Sequence, residues 1–300
     1  EAMFKELFRK SGNKAYIADA YNGLRVVNIS DPAQPVEISG LEWGSSNAIG
    51  IVTAGSQAYL ADRKNGLRVI NILDPAHPVQ AGVFNRIDTA RMVVTDGDYA
   101  YLAAGFKGAR ILDISNPAQP VEVGAYEFSG FAEIIKVVGE RLYVCTNYSS
   151  NFGGMGVHVV DISNPAQPRQ ISYYDWVGEC RGIAVVGSLG YFADAGGLKI
   201  VDFSDLANPL LLGNTQEWAG SIQIQDNLAY VARGPLGWKT YDITDPGDIQ
   251  TVASVPEASG WTQDVKVVGS LAYVRVGDGI RIYSVSNPAA PALLSSYPVS

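Results

Sequence analysis

The chain has 300 residues, with 22 Lys and Arg against 30 Asp and Glu, a formal net charge of −8. That balance argues against non-specific binding to nucleic acid or to an anionic membrane surface, and 17% charged residues beside 47% hydrophobic ones exclude a disordered chain. No apolar run approaches the roughly 18 residues that cross a bilayer, and 32 Gly, 15 Pro and 16 Tyr beside 3 Met describe strands and tight turns.

Taken in chain order, one unit recurs seven times. It reads Ala-Tyr-aliphatic-Ala, a short loop ending in Gly, an apolar run, then Asp or Asn followed by Pro-Ala-x-Pro. In the first copy Tyr16 leads to Gly23 and to Leu24, Val26, Val27 and Ile29, with the turn at Asp31. Phe4 to Lys10 fills its first-strand slot with a charged sequence, either an edge strand or part of an unassigned ring closure. The second copy shows the unit most clearly. Its strands are Ile49 to Thr53, Ala58 to Asp62, Leu67 to Ile72 and Val79 to Phe84, with turns at Gly55-Ser56, Asn65-Gly66 and Asp74-Pro75. The third is anchored on Tyr101, Gly108 and Asn116.

The fourth copy, on Tyr143, Gly156 and Asn164, carries a loop from Thr146 to Gly156 about six residues longer than its counterparts. That loop holds Tyr148 and Phe152 and fits either a lip over the binding face or a tolerated surface loop. The fifth (Tyr191, Gly197, Asp205) has Leu206 where the turn proline belongs. The sixth (Tyr230, Gly237, Asp245) has Thr240-Tyr241 inside its third strand, and the last (Tyr273, Gly279, Asn287) has Ser284 for an acid; all three should still form. The turn anchors Asp31, Asp74, Asn116, Asn164, Asp205, Asp245 and Asn287 are 43, 42, 48, 41, 40 and 42 residues apart. Four strands in about 42 residues make a propeller blade, and third strands apolar at nearly every position are covered on both faces. The expected fold is all-β: one seven-bladed β-propeller over residues 1–300, four antiparallel strands per blade.

The runs Tyr-Ile-Ala-Asp (16–19), Gly-Leu-Arg-Val-Val-Asn-Ile-Ser (23–30) and Gly-Val-His-Val-Val-Asp-Ile-Ser-Asn-Pro (156–165) resemble the LVIVD repeat, and the resemblance extends over essentially the whole chain. It implies a β-propeller of the kind found in secreted and surface proteins of bacteria and archaea, hence an extracellular, cell-surface or periplasmic address. No catalytic residues come with it. The chain opens Glu1-Ala2-Met3-Phe4 without a signal peptide, as a trimmed chain would. Cys145 and Cys180 should lie near the same rim, where two buried free thiols are favoured over a disulfide.

Repetition separates scaffold from site. Two residues after the loop Gly stands a basic side chain in every copy (Arg25, Arg68, Arg110, His158, Lys199, Lys239, Arg281), and three further on Asn28, Asn71, Asp113, Asp161, Asp202, Asp242 or Ser284. A blade-to-blade hydrogen-bond network explains this better than a basic ring for anionic ligands. Antiparallel order puts the first hairpin turn and the Asp/Asn-Pro turn on one monotonous rim. The other rim carries the loops between second and third strands and between blades, and binding groups are expected there.

At that rim the copies disagree. Ten residues before the repeat tyrosine stand Glu6, Ile49, Arg91, Glu133, Arg181, Gly220 and Gln263. Three after it stand Asp19, Asp62, Ala104, Thr146, Asp194, Arg233 and Val276. Arg91, Arg181 and Arg233 suit a carboxylate; Asp19, Asp62, Asp194 and Glu133 suit sugar hydroxyls, and Asp19, Asp62 and Asp194 a Ca²⁺ ion. Mutual salt-bridging is the competing reading. Trp43, Trp176, Trp218 and Trp261 in the inter-blade loops either stack on a ligand or plug the gap between blades.

With no nucleophile elbow, phosphate loop or zinc spacing, the leading expectation is a monomeric, non-catalytic binding or scaffold module for a protein or glycan, needing no cofactor unless Ca²⁺. The alternative is a hydrolase or lyase using Glu133, Arg181 and Asp194.

Overall fold

A computed structural model describes residues 8–31, 34–44, 47–87, 89–147, 155–176, 178–257 and 260–298. Its secondary structure is seven sheets of four antiparallel strands, and each takes its strands in sequence order from one continuous stretch of chain: 8–41, 48–84, 92–126, 131–175, 182–214, 222–255 and 264–298. These are the seven blades of a seven-bladed β-propeller. There is no helix among the described residues, so none that could cross a membrane. The chain divides into two compact units, one built on blades one to four and one on blades five to seven; each is described on its own terms.

In blade one, Phe8–Ser11 pairs with Lys14–Ala18 and so is a first strand, while residues 4–7 of the expected segment lie outside the described residues. The third strands bury nearly every apolar residue: Leu24 and Val26, Leu67 and Val69, and Ile111 and Leu112 are fully enclosed in the first unit, as are Leu198, Ile200 and Val201 in the second. Blade five forms despite Leu206, because Asn208 N–H still closes the turn on Asp205 O at 3.2 Å. Blade six forms with Trp238, wholly buried, leading its third strand and meeting Tyr283 edge-on at 5.4 Å.

The recurrent corner is explained by two nested turns. The Asx residue closing the third strand accepts a backbone N–H two residues on, as from Leu73 to Asn71 (2.9 Å) and from Ser115 to Asp113 (2.8 Å). The next turn repeats the device, Ala76 N–H to Asp74 at 3.0 Å and Ala207 N–H to Asp205 at 2.9 Å. The Ser115 and Thr244 hydroxyls, then their N–H groups, hold the Asp113 and Asp242 carboxyls below the usual carboxylate range, and the Ser163 and Ser204 N–H groups, then their hydroxyls, do so for Asp161 and Asp202.

A feature absent from the sequence pattern recurs in all seven blades: the register between third and fourth strands slips by one residue, between Val26 and Val27 in blade one and between Tyr283 and Ile282 in blade seven. Such a bulge increases twist and turns the outer strand. Within each unit, the outer strand then meets the next blade's Asx-Pro corner. Ser39 Oγ donates to Pro75 O at 2.6 Å, and Gly82, Gly124 and Gly213 approach the carbonyls of Pro117, Pro165 and Pro246 so closely that a Cβ would stand 2.0–2.2 Å away.

Both cysteines are buried and both are disulfide-bonded, so the free thiols favoured from sequence are corrected.

Candidate ligand-binding residues at the loop ends of the blades

The recurrent basic residue is part of the scaffold, but its partners lie mostly within its own blade or in an adjoining inter-blade loop, which amends the blade-to-blade network expected from sequence. In the first unit Arg25 Nε donates to Asp19 at 3.2 Å, and Arg68 Nε to Asp62 at 2.8 Å. Asp62 is closed to solvent and also accepts from Asn65 Nδ2 (3.0 Å) and the Asn47 N–H (3.1 Å). In the second unit Asp194, equally closed, takes Lys199 Nζ at 2.5 Å and the Gly196 N–H at 2.6 Å. The aspartates proposed for Ca²⁺ or sugar thus hold their own loops. No group of three or more His, Cys, Asp or Glu with metal-binding geometry occurs among the described residues.

Where that loop position lacks an acid, one arrives from an inter-blade loop. Blade three has Ala104 there, and Arg110 pairs with Glu127 at 2.7 Å. Blade six has Arg233, and Lys239 and Tyr241 both donate to Glu217, at 2.7 and 2.8 Å. The Lys239 hydrogen bond keeps the Glu217 carboxyl below its ordinary range, with Tyr241 and Arg233 assisting. Blade seven has Val276, and Arg281 and Tyr283 converge on Glu257. These glutamates escaped sequence reasoning because they sit at variable positions in the linking loops.

Blade four is the exception, with Thr146 at that position and His158 as its basic member. His158 lies between Phe128 and Tyr173, ring centroids 4.5 and 4.6 Å away. The Tyr126 hydroxyl donates to Gln170 Oε1 at 2.5 Å, and His158 Nδ1 lies 2.9 Å from both oxygens. Burial pushes the His158 pKa down and the Tyr126 pKa up to about 12. The native state therefore binds fewer protons at His158 than the unfolded chain, whose imidazole titrates near 6.5. This contribution to stability is complete above about pH 6.5 and is lost as pH falls towards the lowered native value. Denaturant midpoints between pH 7 and 5 should show the loss, and His158→Gln should flatten part of it; an unchanged pH slope would refute the assignment.

The remaining site residues fall into one patch per unit. In the first, Arg91 grips Glu133 through Nε (3.1 Å) and a second guanidinium nitrogen (2.5 Å), and its guanidinium lies 5.5 Å above the Phe131 ring. Phe106 meets Phe131 edge-on at 4.9 Å and is 70% exposed; Tyr21 is 75% exposed. Trp43, half-buried, lies under the Arg68 guanidinium at 4.9 Å. Trp176 is buried and fills space inside the fold.

In the second unit Arg181 pairs with Glu179 at 2.9 Å and lies 5.3 Å above Trp218. Trp218 meets Trp261 edge-on at 5.3 Å, with Gly234 wedged so close that a Cβ would stand 2.8 Å from the Trp261 ring. Trp261 is 48% exposed. Arg233 is buried, reaches Glu217 at 3.4 Å, and its Nε has no hydrogen-bond partner among the described residues. Tyr148 and Phe152 lie outside the described residues.

The scaffold is a propeller built from one repeated corner, with its irregular groups on the loop ends. The chain belongs to the LVIVD repeat family, whose profile matches residues 10–41, 46–86, 88–127, 129–175, 177–217 and 259–299. The unmatched stretch holds blade six, which forms the same sheet with the same bulge. No curated protein matches the chain. Among solved structures it is similar to a Lactobacillus plantarum protein (15% identity, TM-score 0.78, covering 94% of this chain and 93% of that one). A provisional 6-phosphogluconolactonase from Bacteroides uniformis ATCC 8492 is similar too (10%, 0.76, 93% and 93%), as is the computationally designed Ika8 protein (13%, 0.71, 99% and 87%). At these identities the likeness is one of fold alone.

Proposed function

We propose that this chain is a non-catalytic binding or scaffold module, exported or displayed at a cell surface, that recognises a protein or glycan through the loop ends of its blades. One observation carries the reading. The charged side chains there are largely engaged with one another, while Tyr21, Phe106 and Trp261 stand open to solvent. Aromatic anchors on a fixed scaffold are what an interface uses, and a catalytic acid or base needs a freer carboxylate than Glu133 or Asp194 offers. The disulfide-bonded cysteines suit an oxidising compartment, which supports the extracellular address implied by the family.

Glycan and peptide arrays probed with the wild type and with Trp261→Ala, Tyr21→Ala and Arg181→Ala test the reading. Retained ligands should bind at least about tenfold more weakly to one or more variants. Wild-type binding that all three variants preserve would place recognition elsewhere, and a wild type that retains nothing would remove the proposal.

A further inference from the structure

Blade two departs from the repeat at a position that no scaffold role explains. Four residues after the repeat tyrosine stand Ala20, Gly105, Ala195, Gly234 and Gly277, all small, with Asn147 in blade four and Arg63 in blade two. The position is small because the loop leans on the next blade: a Cβ at Gly105 would stand 2.9 Å from both Phe131 and Thr89. Arg63 makes its backbone contact inside its own blade instead, its N–H donating to Asn47 O at 3.1 Å, and adds a long cationic side chain.

That side chain has no ion pair or hydrogen bond among the described residues, and its Nε is shut away from solvent without a partner, as is Asn47 Oδ1. Burial and the adjacent Arg91 charge lower the guanidinium's proton affinity, while Glu133 and Tyr21 act in the opposite sense, so these groups share one neighbourhood in the first unit. Glu133 acts on Arg63 only electrostatically, and Arg91 already holds that glutamate in an ion pair. A half-buried cation without a counter-ion is costly to keep unless something anionic occupies the place.

We propose that Arg63, with Arg91 beside it, receives a carboxylate side chain from an acidic segment of a partner protein. A carboxylate carries the single negative charge that a second guanidinium calls for, whereas a dianionic phosphate would overshoot it. Apolar flanks favour a polypeptide over a sugar. Phe106, 70% exposed and edge-on to Phe131, bears no hydrogen-bonding group, where a saccharide presents many hydroxyls. The inference rests on the chain being a binding module and names the partner chemistry for one of its patches.

Selection of a random peptide library against the whole chain, repeated with Arg63→Ala and with Trp261→Ala, tests it. The wild type should enrich peptides with Asp or Glu next to an aromatic or aliphatic residue. Synthetic copies should lose about 10- to 100-fold in affinity on Arg63→Ala, and on exchange of their acid for its amide, but not on Trp261→Ala. Because Arg63 has no partner to lose, Arg63→Ala should melt no lower than the wild type, which separates lost recognition from lost folding. Peptides selected without an acid, or acidic peptides indifferent to Arg63, would overturn the inference and leave the binding module standing. Arg63-dependent binding of an oligogalacturonate with no peptide selected would overturn the polypeptide partner.

Discussion

Asp62→Ala is expected to destabilise the protein by about 3–5 kcal/mol, the range for removing one partner of a buried ion pair. The carboxylate is closed to solvent and answers three donors at once, Arg68 Nε, Asn65 Nδ2 and the Asn47 N–H. Alanine satisfies none of them. Arg68 keeps Gln80 at 2.9 Å and the Trp43 face but loses its counter-ion. The midpoint of thermal unfolding should fall by roughly 6–10 °C, at about 2 °C per kcal/mol for a chain of this size. Replacing the pair together, Asp62→Leu with Arg68→Met, should recover much of the loss, because two apolar side chains leave no stranded charge. A loss below about 1 kcal/mol in the single variant would show that the pair behaves as a solvated one.

Gly124→Ala should be nearly as damaging, for a steric reason. Its Cβ would stand 2.0 Å from the Pro165 carbonyl oxygen, a backbone atom in a hydrogen-bonded turn that cannot swing aside. Blades three and four must then part along their contact, at a cost of about 3 kcal/mol or more. Gly139→Ala is the matched control: its φ is +55°, but a Cβ there meets nothing within 4 Å, so only the left-handed backbone conformation costs, about 1–2 kcal/mol. Equal unfolding midpoints for the two variants would mean that the close approach has been misjudged.

Much of this was legible because a repeat reports on itself. The second copy's fourth strand runs Val79–Phe84 as read from sequence, and its other three strands differ from the reading by at most one residue at each end. Alternation, Gly turns and Asx-Pro corners are short-range signals, and seven copies average out the noise in any one. The candidate site was less legible for the opposite reason. A column that varies among copies says where symmetry breaks but not which side chain meets which. Asp62 and Asp194 stood out as candidate ligands and lie enclosed beside Arg68 and Lys199; Trp176 is buried while Trp261 is half open. Arg63 stood one column beyond those compared, and the same alignment would have found it.

The amino-acid order by itself determined the blade: its length, its four strands, its Asx-Pro corner and the basic residue it repeats. These follow from local backbone preferences and two-residue alternation, which act over a few neighbouring positions. Tertiary structure alone decided which acid answers each basic residue, whether the cysteines are bonded, where the bulges fall and which aromatics remain open. Such outcomes depend on groups brought together from separate loops, where charge, burial and steric room are set by neighbours distant along the chain.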